Sequence, residues 1–391
     1  MIPKGFLFSA VEAAIKKPGR KDLALIYSET ESNMAGAFTT NNVKAAPVRV
    51  DMRRIQSGRG QAIIVNSGNA NACTGEKGMR DAIEMTRIVA QGLKLNPSLV
   101  YVSSTGVIGS PMPMQRIRTR MHDLFAGLGK FTIRDIAHAI MTTDTFPKVV
   151  SRTVDVDGKS GTVAGICKGA GMISPHMATM LCFLMTDIAV NKRTLHRTLR
   201  DAVKRSFNRV TVDGDMSTND TVLIMANGML GNREISEKSK KYRMFQETLF
   251  DVTYELSKLI ARDGEGATKL IEIEVKGARS EVEAEKAAFS VANSNLVKTA
   301  IYGNDANWGR IMAALGYSGI SLAEEKIDIY FGKVNVVRKG LSKGKDEEAN
   351  KVLRGKDIRI IIDLHLGRSS ARVLTCDLTE EYIRVNATYR T

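Results

Sequence analysis

Residues 168–187, KGAGMISPHMATMLCFLMTD, set a glycine-bearing loop directly against an apolar run. Glycines and a proline mark a turn at the surface, whereas MLCFLM reads as a buried strand. Thr179 stands between them, so a hydroxyl enters the core at the first position of the strand. Threonine has good strand propensity, and that alone is reason enough for it to open one. Its surroundings point further. Gly169 and Gly171 permit backbone conformations closed to other residues, and the small Ala178 lets the preceding carbonyl approach a neighbouring hydroxyl. If the Ala178–Thr179 bond breaks, Thr179 gains a free α-amine whose ordinary pKa is about 7.7–8.0. Nucleophile and general base then sit on one residue, an arrangement that needs no histidine.

Outward from this stretch the pattern is mixed α and β, without an internal repeat or a low-complexity linker. QAIIVN (61–66) reads as a buried strand, SGNANACTGEKG as a polar loop, and GMRDAIEMTRIVAQGLKL as a helix with Ala82, Met85, Val89 and Leu93 on one face. Asn96 and Pro97 end that helix, and LVYVSS (99–104) returns as a strand. TIRDIAHAIM (132–141) is a helix leading into the loop TTDTFPK (142–148). NKRTLHRTLRDAVKRSFNRV (191–210) is an amphipathic helix, with Leu195, Leu199, Val203 and Phe207 repeating every four residues. IEIEVK (271–276) alternates as a half-buried strand. DIRIIIDL (357–364) and ARVLTCDL (371–378) are strands about the turn HLGRSS, and 336–357 reads as an exposed excursion in a smaller C-terminal unit. Strands and helices mixed along the whole length predict a layered α/β fold rather than a helical bundle.

The totals set bounds. A chain of 391 residues suits two or more intertwined units. Its best apolar stretch, MATMLCFLM, is cut short by Asp187, well below the roughly 20 residues that cross a bilayer. MIPKGFLFSAVEAAIKKPGRKD carries no convincing signal-peptide core, so the expected location is cytoplasmic, with no membrane partner. Cys73, Cys167, Cys182 and Cys376 form no C-x-x-C pair and read as reduced, mostly packed thiols. His122, His138, His176, His196 and His365 are as scattered, and no ligand spacing argues for a metal. The net charge of +15 is spread along the chain among acidic residues. Its densest tract, VVRKGLSKGKDEEANKVLRGKDI, carries both signs and no aromatic side chain, as a solvated loop does; nucleic acid is not an expected partner.

Three fragments imitate known signatures and fail on spacing. GYSGI (316–320) has the wrong glycine spacing for a nucleophile elbow. GLSKGKD has three residues between its glycines where a P-loop has four, and Asp346 stands where Ser or Thr would meet magnesium. KGAGMIS lacks the third glycine of a dinucleotide loop.

KGAGMISPHMATML resembles the self-cleavage segment of the ornithine acetyltransferase (glutamate N-acetyltransferase) family of arginine biosynthesis. AFTTNNVKAAPV (37–48), VNSGNANACTG (65–75), SSTGVIG (103–109), TTDTFPK (142–148), TVDGDMSTNDTV (211–222), RDGEGATK (262–269), YGNDANWGRI (302–311) and NATYRT (386–391) are similar to further family motifs, in the family's order. Ala170 stands where serine is frequent, and His176 where asparagine is frequent; neither removes the Ala-Thr pair.

The resemblance implies a layered α+β sandwich of the N-terminal-nucleophile kind, with a smaller C-terminal α/β domain at about 280–391. It implies a precursor cut between Ala178 and Thr179 into an α chain, 1–178, and a β chain, 179–391, that stay together as α2β2. Thr179 would be the nucleophile, taking acetyl from N-acetylornithine and passing it to glutamate through an acetyl-threonine ester. Thr105 and Gly106 would supply the oxyanion donors that each acyl step needs. Thr142 (or Thr143), Lys168, Thr179, Glu265, Asn386 and Thr391 would contact the amino-acid substrates. Lys168 suits a substrate carboxylate and Glu265 an ammonium. No cofactor is implied; acetyl-CoA is an optional acetyl donor within the family, and no residue here decides its use. Two rival readings are an N-terminal-nucleophile amidase or aminopeptidase, in which water replaces glutamate, and an uncleaved basic protein binding RNA or anions.

Overall fold

The computed structural model describes residues 1–16, 18–174 and 180–388. Thr179 and Ala178, with His176 and Thr391, lie outside the described residues.

The first sheet has eight strands: β1 (Phe6–Val11), β2 (Leu23–Phe38), β3 (Arg59–Asn69), β4 (Val100–Val107), β5 (Lys148–Val156), β6 (Lys159–Lys168), β7 (Leu181–Thr186) and β8 (Thr221–Ala226). Their order is β4-β3-β2-β8-β7-β6-β5, with β1 paired to β2. The long β2 is the seam. Its first half pairs antiparallel with β1 and β3, from Leu23↔Asn66 to Tyr27↔Ala62, and its second half with β8, from Asn33↔Ala226 to Phe38↔Thr221.

Alternate residues of each strand enter different cores, because successive side chains leave opposite faces. Ile63 and Val65 of β3 meet Leu181, Phe183 and Met185 of β7 and Leu223 and Met225 of β8 in a central core. Ala62 and Ile64 pack instead under the helices Ala46–Arg54, Gly75–Leu93 and Met114–Ala126. On the far side, Cys182, Leu184, Val222 and Ile224 pack under the helices Lys192–Arg205 and Tyr242–Arg262. The result is helices, strands, strands, helices. It also explains why LCFLMT shows no polar alternation: β7 is buried on both faces, and such a strand needs an unbroken apolar run.

Local signals account for the helices that flank this core. Leu195, Leu199, Val203 and Phe207 are all buried as the spacing predicts, although Phe207 lies in a separate turn of 3-10 helix after Arg205. The helix Ile133–Ile140 carries a full capping box: the Thr132 side chain accepts from Asp135 N–H, and the Asp135 side chain from Thr132 N–H. A cap of this kind contributes about 1 kcal/mol. It fixes the helix whose end delivers Thr142.

A second sheet of six strands, in the order β12-β11-β10-β13-β9-β14, is built from β9 (Leu270–Ala278), β10 (Asp328–Phe331), β11 (Val334–Arg338), β12 (Leu341–Ser342), β13 (Asp357–Asp363) and β14 (Ser369–Cys376). Ile271, Ile273 and Val275 point into its own core, as the alternation predicts. Leu270, Leu374 and Cys376 pack into the outer core of the first sheet and tie the two together.

One expectation changes here. The segment 336–357 is not wholly exposed: Val336, Val337, Ala349 and Leu353 are fully buried. The helix Asp346–Leu353 inserts Ala349 and Leu353, four residues apart, while its many charges face water, and average composition hides such a narrow stripe. The strands on either side of the turn HLGRSS do not pair with each other. β13 runs parallel to β9 and β14 antiparallel to it, so the two strands flank a third that comes some 80 residues earlier in the chain.

Candidate active site

The lining of one cavity of about 230 Å³ includes Thr105, Gly106, Thr142, Thr143, Lys168, Glu265 and Asn386, together with residues given no role from sequence, among them Asp213, Asn219 and Tyr382. Six of the first seven were singled out from sequence as site residues and the seventh, Thr143, as the alternative to Thr142. Those seven come from five separate stretches of chain. The cavity does not distinguish Thr142 from Thr143, since both line it.

Thr105 and Gly106 stand near the C-terminal end of β4, beside Ser67 and Gly68 of β3. Here the two backbones nearly touch. A Cβ on Gly106 would lie 2.3 Å from the Gly68 carbonyl carbon and 2.5 Å from Asn69 N, and Gly106 has φ +132°. Only glycine permits both the approach and that conformation. Asn219 braces the same strand end, its side-chain amide donating to the carbonyls of Ser104 (2.8 Å) and Ala70 (2.7 Å).

Lys168 ends β6 and is buried, with Nζ donating to the Thr105 hydroxyl at 3.3 Å. Burial pushes its pKa below the usual lysine range, against the opposing pull of Asp144. Asp144, also buried, ties three parts of the site together. It accepts Thr142 N–H at 3.0 Å, Gly169 N–H at 2.7 Å and Lys148 Nζ at 2.7 Å. Burial would raise its pKa, but the Lys148 and Lys168 ammoniums and the Gly169 N–H outweigh that and hold it well below the usual carboxylate range. Lys148, itself fully buried, also bonds Asp263. Asp263 in turn accepts Thr145 N–H, so TTDTFPK is pinned at both ends. Sequence reading placed Asp144 and Lys148 inside a motif and gave neither a role.

The loop after Lys168 is held by a second aspartate that sequence reading also left without a role. Asp213 accepts the N–H groups of Met172 (2.7 Å) and Ile173 (2.8 Å), and Tyr382 Oη donates to it at 3.3 Å. Burial raises the Asp213 pKa, partly offset by those N–H groups. Gly171 is required here for room, not for backbone conformation. Its φ is not positive, whereas a Cβ would stand 2.3 Å from the Glu265 carboxyl. Glu265 N–H donates to the Ala170 carbonyl at 2.9 Å, fixing that close approach.

The C-terminal helix Glu380–Thr388 closes one side. Asn386 donates to Glu265 at 2.8 Å and Tyr382 reaches Asp213, so this helix is docked over the cavity. Among the described residues, no group of three or more His, Cys, Asp or Glu is arranged to hold a metal ion, and no helix is long and apolar enough to cross a membrane.

Buried charges are costly unless paired, and folds keep them where chemistry requires them. Lys168 and its neighbours therefore make this cavity the candidate active site; the chain is an enzyme of the layered α/β class. Comparison with known proteins makes this more particular. The ArgJ family model matches residues 7–391, and the chain belongs to the ArgJ family. The arginine biosynthesis bifunctional protein ArgJ of Geobacter sulfurreducens is 55% identical over 390 residues, covering 99% of each chain. The protein of that name from Caldanaerobacter subterraneus subsp. tengcongensis is 50% identical over 395 residues, covering 100% of this chain and 98% of its own. A crystal structure of arginine biosynthesis bifunctional protein ArgJ from Bacillus halodurans aligns with a TM-score of 0.52 at 43% identity, covering 53% of this chain and 98% of that one.

Proposed function

We propose that this protein cuts its own chain between Ala178 and Thr179 and then transfers acetyl from N-acetylornithine to glutamate in arginine biosynthesis. The relatives' shared name and their near-complete coverage support the pathway. The observation that carries the chemistry is the single cavity joining Thr105, Gly106, Lys168 and Glu265 at the loop that leads to residue 179.

The Thr179 hydroxyl, assisted by its own α-amine, attacks the acetyl carbonyl of the donor. The tetrahedral oxyanion that follows is stabilised by the Thr105 hydroxyl and the Gly106 N–H, donors already fixed by the β3–β4 contact. Ornithine leaves, and the amine of glutamate attacks the acetyl-threonine ester through the same oxyanion site. Lys168 takes a substrate carboxylate and Glu265 a substrate ammonium, while Thr142, Asn386 and Thr391 complete the contacts. An α2β2 assembly of the cut chains and an additional use of acetyl-CoA as donor belong to the same reading.

A denaturing intact-mass spectrum tests the first half. Two polypeptides, the heavier beginning at Thr179, are expected, and incubation with N-acetylornithine and glutamate should then yield ornithine and N-acetylglutamate. A single species at full-chain mass after prolonged incubation would refute the self-cleavage. Release of free acetate without acetylation of glutamate would favour an amidase instead.

A further inference from the structure

Asp220 immediately precedes β8, and its side chain is completely buried. Its Oδ1 accepts the backbone N–H of Met180 at 3.0 Å. Its Oδ2 is buried and has no hydrogen-bond partner among the described residues. The Thr39 hydroxyl lies against this carboxyl but gives its hydrogen to the Ser217 carbonyl at 2.9 Å. The Met180 backbone is held on its other side too, because Thr221 N–H donates to its carbonyl at 3.0 Å. A buried carboxylate oxygen without a partner is costly, whereas a neutral carboxylic acid there is far less so. Burial accordingly pushes the Asp220 pKa well above the carboxylate range. An amide or a carbonyl could accept the Met180 N–H equally well, so support of that N–H alone leaves the acid unexplained.

Met180 directly follows the residue at which the chain is proposed to be cut. Only three bonds separate the nitrogens of residues 179 and 180, so they lie within about 4 Å of each other in any conformation. The Asp220 carboxyl is therefore hydrogen-bonded to the residue that follows, in the chain, the one whose nitrogen departs when the Ala178–Thr179 bond breaks.

We propose that Asp220 is the general acid of self-cleavage, protonating the departing nitrogen of Thr179. This rests on the self-cleavage reading above. The Thr179 hydroxyl oxygen bonds to the Ala178 carbonyl carbon, the C–N bond breaks with its electron pair on nitrogen, and Asp220 gives that nitrogen its proton. The proton shed by the hydroxyl returns to the Asp220 carboxylate, so that overall one proton moves from oxygen to nitrogen. Water then hydrolyses the ester, leaving the Ala178 carboxylate and a free Thr179 with both hydroxyl and amine.

The test is the time course of cutting of the full chain made by cell-free synthesis, followed by denaturing mass spectrometry across a pH series. Asp220→Asn keeps an acceptor for Met180 N–H and removes only the proton. It should fold, with an unchanged circular dichroism spectrum, and cut more slowly by on the order of a hundred-fold. In the unaltered protein, cutting should slow as pH rises through the raised pKa of Asp220, and that limb should vanish in Asp220→Asn. Asp220→Asn cutting at the rate of the unaltered protein overturns the proposal while leaving self-cleavage intact. An unaltered chain that never cuts overturns both. If Asp220→Asn does not fold, the pH series of the unaltered protein decides, and a rate that does not fall on the alkaline side refutes the acid.

Discussion

The ammonium of Lys168 donates to the hydroxyl of Thr105 at 3.3 Å, joining the end of β6 to the end of β4 across 63 residues of chain. A buried lysine is thereby set beside the proposed oxyanion donor, with Asp144 drawing on it from behind.

Lys168→Met should abolish that arrangement with little loss of fold, because Lys148 remains to pair with Asp144. The expected loss in kcat/KM is on the order of a hundred-fold, with much of it in KM if Lys168 holds a carboxylate. In the unaltered enzyme the lysine is charged only below its lowered pKa. The kcat/KM profile should therefore decline on the alkaline side at a lower pH than an ordinary lysine would give, and Lys168→Arg should remove that limb.

Lys148→Met is a stability variant. It leaves Asp144 and Asp263 buried without their shared cation, which costs about 3–5 kcal/mol. Urea unfolding should show a lowered midpoint with an unchanged slope.

The depressed pKa of Asp144 fixes the sign of an acid effect. Between the unfolded pKa of about 3.9 and the lower folded value, the unfolded chain binds more protons. The stabilisation from Asp144 is therefore complete above the unfolded pKa and is lost as pH falls towards the folded one. Asp144→Asn should flatten the fall in stability below about pH 3.9, as measured by unfolding across an acid pH series.

Gly106→Ala should fail in two ways, through contact with the Gly68 backbone and through a strained φ. A cost of about 1–3 kcal/mol is expected, together with loss of transfer as β4 shifts from β3. Gly171→Ala differs. The added methyl meets the Glu265 side chain instead of backbone, so the melting temperature should hold while KM for the donor rises.

Much of the architecture was legible in local pattern. The four-residue repeat of Leu195, Leu199, Val203 and Phe207 and the alternation of IEIEVK each report one element meeting one core, and both faces are buried as read. The helix 346–353 was less legible, because two buried side chains among charges leave little periodic signal. The pairing of β13 and β14 with β9, and not with each other, could not be read from the turn between them.

The motifs named Thr105, Gly106, Lys168, Glu265 and Asn386, and only the family resemblance implied that they meet at one site. What the sequence by itself determined was the chemistry available: a Thr-Gly strand end, a buried-strand entry after a glycine loop, and a small set of charged residues in polar motifs. Those are properties of side-chain type and near-neighbour spacing. Only the tertiary structure decided that these distant stretches line one cavity, that Asp144 and Lys148 brace it, that Gly171 is needed for room, and that one oxygen of Asp220 has no partner among the described residues. Burial and pairing depend on what the rest of the chain places around a group, and no local pattern carries that information.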